Sequence, residues 1–184
     1  MNSNLLKIKS KLKKNSLDAL LISSVPNIIY LTGFSGFSSV EREAFLLILK
    51  NKQYVLTDGR YKEEVENKMP DFELIELSSK NKLEKTLADF VRKHNLMKLG
   101  IEEENLSVLE YKKIKKIIKN LKDFNLNHLR SIKNRGEIEN IKKACFLTDR
   151  TFKYILEQIK PGITEKKLVL LIELFIRENN ADIA

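Results

Sequence analysis

The chain has 184 residues, 42% hydrophobic and 32% charged, with only 6 Gly and 3 Pro. That length and composition suit one full domain plus part of a second around a packed core, and they exclude a fibrous or disordered chain. The formal net charge of +9 raises nucleic acid as a partner, while a lone cysteine, Cys145, excludes an intrachain disulfide and any Cys-rich zinc site. No apolar run approaches the ~18 residues of a membrane span. The opening Met1-Asn2-Ser3-Asn4-Leu5-Leu6-Lys7 lacks an apolar stretch followed by a small-residue cleavage site. These features lead us to expect a cytoplasmic protein with no membrane partner.

In chain order, residues 5–14 read as a helix and residues 17–23 as a buried strand. A short helix opens at Pro26 and runs to Leu31. Ala44–Leu49 and Gln53–Thr57 are two strands joined by Lys50-Asn51-Lys52, an antiparallel hairpin. Asp58 caps a helix that runs to Lys68 and stops before Pro70. Next come a strand at 72–77, a helix over Leu83–His94 and a strand at 98–102. A lysine-faced helix spans 108–121 and a last strand lies at 124–126. Strands alternating with helices predict an α/β fold, and the hairpin makes its sheet mixed.

The character changes near Arg135. Ile138, Ile141, Cys145, Thr148, Phe152, Ile155 and Ile159 recur every three or four residues, a continuous helical stripe. Gly162 ends that helix and Thr164 caps the next. Between Leu168 and Ile176 only Glu173 is polar, so the last helix needs cover on several sides. A domain boundary is placed near residues 129–133.

The lysines bear on the nucleic-acid question. Lys112, Lys113, Lys115, Lys116, Lys119 and Lys122 interleave with Ile114, Ile117, Ile118 and Leu121, the pattern of a solvated helix face. No nucleic-acid motif or arginine–aromatic platform accompanies them, so nucleic acid is not expected as a partner.

Few residues suggest chemistry. His94 and His128 fall in no metal-binding spacing, and Cys145 lies on the apolar stripe, where a buried inert thiol is expected rather than a nucleophile. Glu102-Glu103-Glu104 is an acidic turn whose consecutive carboxylates cannot all face one ion from an extended backbone. Gly33 with Gly36 is no dinucleotide fingerprint. Two segments are more distinctive. Asn27-Ile28-Ile29-Tyr30-Leu31-Thr32-Gly33-Phe34-Ser35-Gly36-Phe37 gathers aromatics around two glycines, and Leu56-Thr57-Asp58-Gly59-Arg60-Tyr61 leaves a strand for a helix.

Together these segments resemble the N-terminal domain of the Xaa-Pro aminopeptidase and prolidase family, the creatinase N-terminal domain. The family pattern Asn-x-x-Tyr-Leu-Thr-Gly-Phe appears as Asn27 to Phe34, and Thr-Asp-x-Arg-Tyr as Thr57 to Tyr61. Leu129-Arg130-Ser131-Ile132-Lys133, Glu137-Ile138 and Ile141-Lys142-Lys143-Ala144 resemble the junction into the family's catalytic domain. Lys160-Pro161-Gly162-Ile163-Thr164-Glu165 resembles the link between that domain's first two helices.

The resemblance implies a mixed central sheet of about five or six strands flanked by helices over residues 1–130. Residues 131–184 would be the truncated start of a pita-bread peptidase domain, contributing two helices. The parent would hydrolyse the bond preceding proline in Xaa-Pro peptides with two divalent metal ions, manganese, held by two Asp, one His and two Glu. All five ligands would lie beyond Ala184, so no catalytic or metal residue is carried onto this chain, and it is expected to be inactive and cofactor-free by itself. What remains is oligomerisation, as a homodimer, and substrate access through the loop at residues 35–43. The candidates there are Phe34, Phe37, Ser38, Ser39 and Arg42. Replacing Phe37 or Arg42 is expected to leave stability nearly intact. The alternative is a non-catalytic interaction module that keeps a peptidase-like fold.

Overall fold

A computed structural model describes residues 3–182. The chain divides into two compact units, Met1–Arg130 and Ser131–Ala184.

The first unit is an α/β layer structure around a six-stranded mixed sheet. Its elements are α1 (Ser3–Lys14), β1 (Ala19–Ile22), α2 (Val25–Thr32), β2 (Ala44–Leu49) and β3 (Gln53–Thr57). A 3₁₀ turn (Gly59–Tyr61) leads into α3 (Lys62–Lys68), followed by β4 (Glu73–Glu76), α4 (Leu83–His94), β5 (Lys98–Ile101), α5 (Val108–Ile117), β6 (Asn120–Asp123) and α6 (Asn127–Ser131). The strand order is β4-β3-β2-β1-β5-β6. β2 runs antiparallel to β1 and β3, and the pairs β3–β4, β1–β5 and β5–β6 are parallel.

Hydrophobicity dictates this order. All six residues of β2 are buried, as a strand covered on both faces requires. The edge strands β4 and β6 expose Glu73, Glu76, Asn120, Lys122 and Asp123, charges and an amide that discourage pairing with another sheet. On one face Leu5, Ile8 and Leu12 of α1, Ile28 and Leu31 of α2, and Val65 and Met69 around α3 pack on Leu20, Ile22, Leu46, Ile48 and Val55. On the other, Leu87 of α4 and Ile114 and Ile118 around α5 pack on Leu21, Leu47, Leu56, Leu99 and Ile101. Each fully buried aliphatic side chain contributes about 1.5–3 kcal/mol. The helix after β1 therefore lies on one face and the helix after β5 on the other. Because β1 and β5 are neighbours, a crevice opens beyond their carboxyl ends.

Three local expectations are corrected. Asp58 caps the 3₁₀ turn, accepting from Arg60 N, and α3 starts only after it. The lysine-faced helix ends at Ile117, and the last strand is Asn120–Asp123 instead of 124–126. Leu121 satisfies a helical spacing from Ile117 and a strand alternation equally well, and parallel pairing with Leu99 decides for the strand. Phe124 and Leu126 are buried beyond it, which accounts for their strand-like signal.

The second unit contains α7 (Arg135–Gln158), opened by an Asn134–Glu137 capping box, and α8 (Glu165–Glu178), capped by Thr164. The Tyr154 and Phe175 rings stack at 4.6 Å. With 14 residues against 24, α8 is about 21 Å long and α7 about 36 Å, so much of the α7 stripe has no cover. Cys145 is exposed, not buried as its position on the stripe suggested. Only Thr151 and Ile155 of α7 are buried, and none of α8. An apolar groove of about 470 Å³ between them is lined by Leu147, Phe152, Ile155, Ile172 and Ile176, among others. No helix among the described residues is long and apolar enough to cross a membrane.

Candidate functional site

The crevice beyond β1 and β5 is filled by the chain's own carboxylate. Glu102, the first residue after β5, is 6% exposed. Its Oε2 accepts from Ser23 N, from Ser24 N at 2.8 Å and from the Ser23 hydroxyl at 3.2 Å. Its Oε1 accepts from the Ser24 hydroxyl at 2.9 Å and from Asn27 Nδ2. The carboxylate thus occupies the place beside the α2 N-terminus where the helix dipole favours negative charge, and backbone donors turned toward it remain satisfied. Asn27 uses both ends of its amide, because its Oδ1 accepts from Arg130 Nη1 at 3.2 Å. A cavity of about 230 Å³ adjoins this network, lined by Ser24, Asn27, Glu102, Asn105, Asp123 and Arg130 with their neighbours.

Arg42 binds the loop to the same crevice. Its guanidinium donates to Ser23 O, to Asn105 Oδ1 and Asn105 O, each at 2.6 Å, and to Glu110 Oε1 at 3.0 Å. Glu110 also closes the Ser107 capping box of α5. Burial pushes the Glu110 carboxyl up, but the Ser107 and Arg42 hydrogen bonds outweigh it and leave it below the usual range.

On the opposite side of the loop, Phe37 lies between Phe34 and Tyr61, with ring centroids 4.8 Å apart in both pairs. Gly33 ends α2 at φ 77°, where a side chain would be strained, and a Cβ on Gly36 would run into the Phe34 ring. Glu43 accepts from Ser38 N and from the Tyr61 hydroxyl, and with help from Arg60 these bonds hold its carboxyl below the usual range. The same bond to Glu43, followed by burial, pushes the Tyr61 phenol up to about 12. Asp58 is held low chiefly by its hydrogen bond from Arg60.

The five sequence-derived candidates therefore separate. Phe34 and Phe37 are buried in the core. The Ser38 hydroxyl accepts from Val40 N and Glu41 N, folding the loop tip on itself. Ser39 is exposed, and Arg42 is committed to the crevice. What the loop presents outward is Ser39, Val40 (92% exposed) and Glu41, held at the base by Arg42 and Glu43.

Residues 5–132 match the Creatinase/Prolidase N-terminal domain. This chain belongs to that family. It is 29% identical over 180 residues to an uncharacterized peptidase, YqhT, of Bacillus subtilis, covering 96% of this chain and 49% of that protein. It is 28% identical over 194 residues to the Xaa-Pro dipeptidase of Pyrococcus horikoshii, covering 99% and 50%. The structure of an X-Pro aminopeptidase from Thermotoga maritima superposes with a TM-score of 0.83 at 25% identity, over 95% of this chain and 49% of that one. The chain thus spans about half the length of these relatives.

Within this creatinase/prolidase N-terminal domain the two recognisable motifs have separate jobs. Asn27 to Phe34 supplies the crevice network and one wall of the aromatic cluster, while Thr57 to Tyr61 supplies the other wall. Sequence reasoning missed Glu102 and Asn105 as crevice residues. In the sequence Glu102 reads only as part of an acidic turn unsuited to holding one ion, and the signal that finds it is its place directly after a buried parallel strand. Arg130 stood out only as part of the junction motif, since its partner lies 103 residues away. Among the described residues no three His, Cys, Asp or Glu side chains gather as metal ligands.

Proposed function

We propose that this chain is the N-terminal half of a metal-dependent Xaa-Pro aminopeptidase or dipeptidase, which hydrolyses the peptide bond preceding proline. The observation that carries the reading is the family match over residues 5–132 together with relatives, named Xaa-Pro dipeptidase or X-Pro aminopeptidase, about twice as long. Residues 131–184 form the opening helices of the peptidase domain. The two divalent ions, manganese, would be held by residues in the remainder of that domain. When bound, such a pair activates water and polarises the scissile carbonyl.

The first unit has a supporting role in this cytoplasmic homodimer: oligomerisation and substrate access. The loop at residues 35–43 suits access because its tip is exposed while its base is fixed by Arg42 and by the Phe34–Phe37–Tyr61 cluster. A tip tied down this way meets a peptide or a partner subunit without a large ordering cost.

The test is an Xaa-Pro peptide assay on the gene's full product and on the 184-residue chain, with metal analysis after dialysis. The full product cleaves before proline and loses activity on chelation, while the 184-residue chain is inactive and retains no stoichiometric metal. A full product without proline-peptide activity rejects the peptidase reading in favour of an interaction module.

A further inference from the structure

The two turns of α2 reach the point where the first unit ends. Asn27 Oδ1 accepts from Arg130 Nη1 at 3.2 Å, and one helical turn on, Tyr30 donates its hydroxyl to Leu129 O at 3.4 Å. Leu129 and Arg130 are the last two residues of that unit. Asn27 is itself anchored, since its Nδ2 donates to Glu102, whose remaining bonds go to Ser23 and Ser24 at the end of β1. The exit segment is therefore fastened through one side chain to the two central parallel strands.

The chemistry requires an amide at position 27. It accepts from a guanidinium with one end and donates to a buried carboxylate with the other. An aspartate would face Glu102 with a second negative charge, and an aliphatic residue would orphan both partners. Tyr30 adds a bond one turn away on the same face of α2, so the exit segment is held at two points and cannot pivot about either.

We propose that Asn27 and Tyr30 are positioning residues for the peptidase reaction, clasping Leu129 and Arg130 so that the end of the first unit is held at one fixed point. This rests on the peptidase reading above. Neither residue has to touch substrate; both act through the exit segment. In this role the clasp holds the end of the first unit in one place, so loosening it weakens productive substrate capture before it affects bond cleavage.

Two measurements test this. Trypsin cuts after Arg130 only when the segment opens, so in the 184-residue chain its rate follows the open population. Asn27→Ala raises that rate about 5–10-fold, and Tyr30→Phe, which removes only a hydroxyl and leaves the fold intact, raises it about 2–3-fold. Cleavage after Lys80, in the exposed turn before α4, is the internal reference and stays constant. Rates at Arg130 equal to wild type in both variants overturn the clasp.

In the gene's full product, Asn27→Ala raises KM for an Xaa-Pro peptide about 5–10-fold while kcat per folded enzyme stays within about twofold, whereas mere loss of folded protein lowers apparent kcat and leaves KM alone. An unchanged KM with a faster trypsin cut overturns the positioning role. A wild-type product that cleaves no proline peptide sinks the peptidase reading and the catalytic consequence with it, while the trypsin rates still decide the clasp.

Discussion

Glu102 is the residue whose loss should cost the first unit most for a single polar side chain. Replacing it by alanine removes the acceptor for Ser23 N, Ser24 N and Asn27 Nδ2 in a place 6% open to solvent. The two serine hydroxyls rotate to other partners and are left out of the sum. Each buried donor left without a partner costs about 1–3 kcal/mol. Three such donors come to roughly 3–9 kcal/mol, and water entering from the adjoining cavity of about 230 Å³ will rehydrate part of the site. We therefore expect about 3–5 kcal/mol, a large share of the ~5–15 kcal/mol that holds a typical domain together. Glu102→Gln keeps an acceptor oxygen but turns an NH₂ toward Asn27 or Ser24, and should lose about 1–3 kcal/mol. Urea unfolding followed by far-UV circular dichroism is the assay, because the chain has no tryptophan. Glu104→Ala, at an exposed neighbour, is the control and should stay within about 0.5 kcal/mol of wild type. A Glu102→Ala variant less than about 1 kcal/mol below wild type, with an unchanged denaturant slope, would refute the argument that this carboxylate satisfies the β1–α2 connection.

Phe37→Ala should destabilise the first unit by about 3–5 kcal/mol, since the ring is 5% exposed between Phe34 and Tyr61. This reverses the expectation that the position tolerates alanine, and an unfolding midpoint equal to wild type would restore it. The Glu43–Tyr61 bond makes stability depend on pH at both ends. Glu43 has a lowered folded pKa, so its contribution is present above the unfolded value of 4.5 and is lost as pH falls below it. Tyr61 has a raised folded pKa of about 12, so its contribution is complete below the unfolded value of 10.0 and is lost between there and 12. Glu43→Gln should bring the Tyr61 midpoint back toward 10.0, and an unmoved midpoint in a tyrosine titration would show that Glu43 is not the cause. Phe146, Phe152, Leu156, Val169, Leu170 and Leu174 are all more than half exposed, and covering three of them is worth roughly 4.5–9 kcal/mol. The 184-residue chain should consequently self-associate in sedimentation more strongly than a chain ending at Lys133, and equal monomeric behaviour would count against it.

Local pattern was enough for most of the elements. The all-apolar run of β2, the hairpin to β3, the amphipathic α4 and the capped start of α8 depend on neighbours within a few residues, so their signals sit in adjacent sequence. The α/β class and the mixed sheet followed from the order of those elements, and the two motifs around Asn27 and Asp58 pointed to the family. Pairing across distance is what the sequence left open. Leu121 became a strand residue only because Leu99 lies beside it in a parallel register, and Cys145 is exposed because its part of the α7 stripe has no partner among the described residues. The same holds at the crevice: Glu102 lies 75 residues from Asn27 and 79 from Ser23, and Arg42 lies 63 from Asn105. A lone carboxylate or guanidinium carries no periodic signal in a sequence, and its role exists only once the parallel pairing of β1 with β5 brings those ends together.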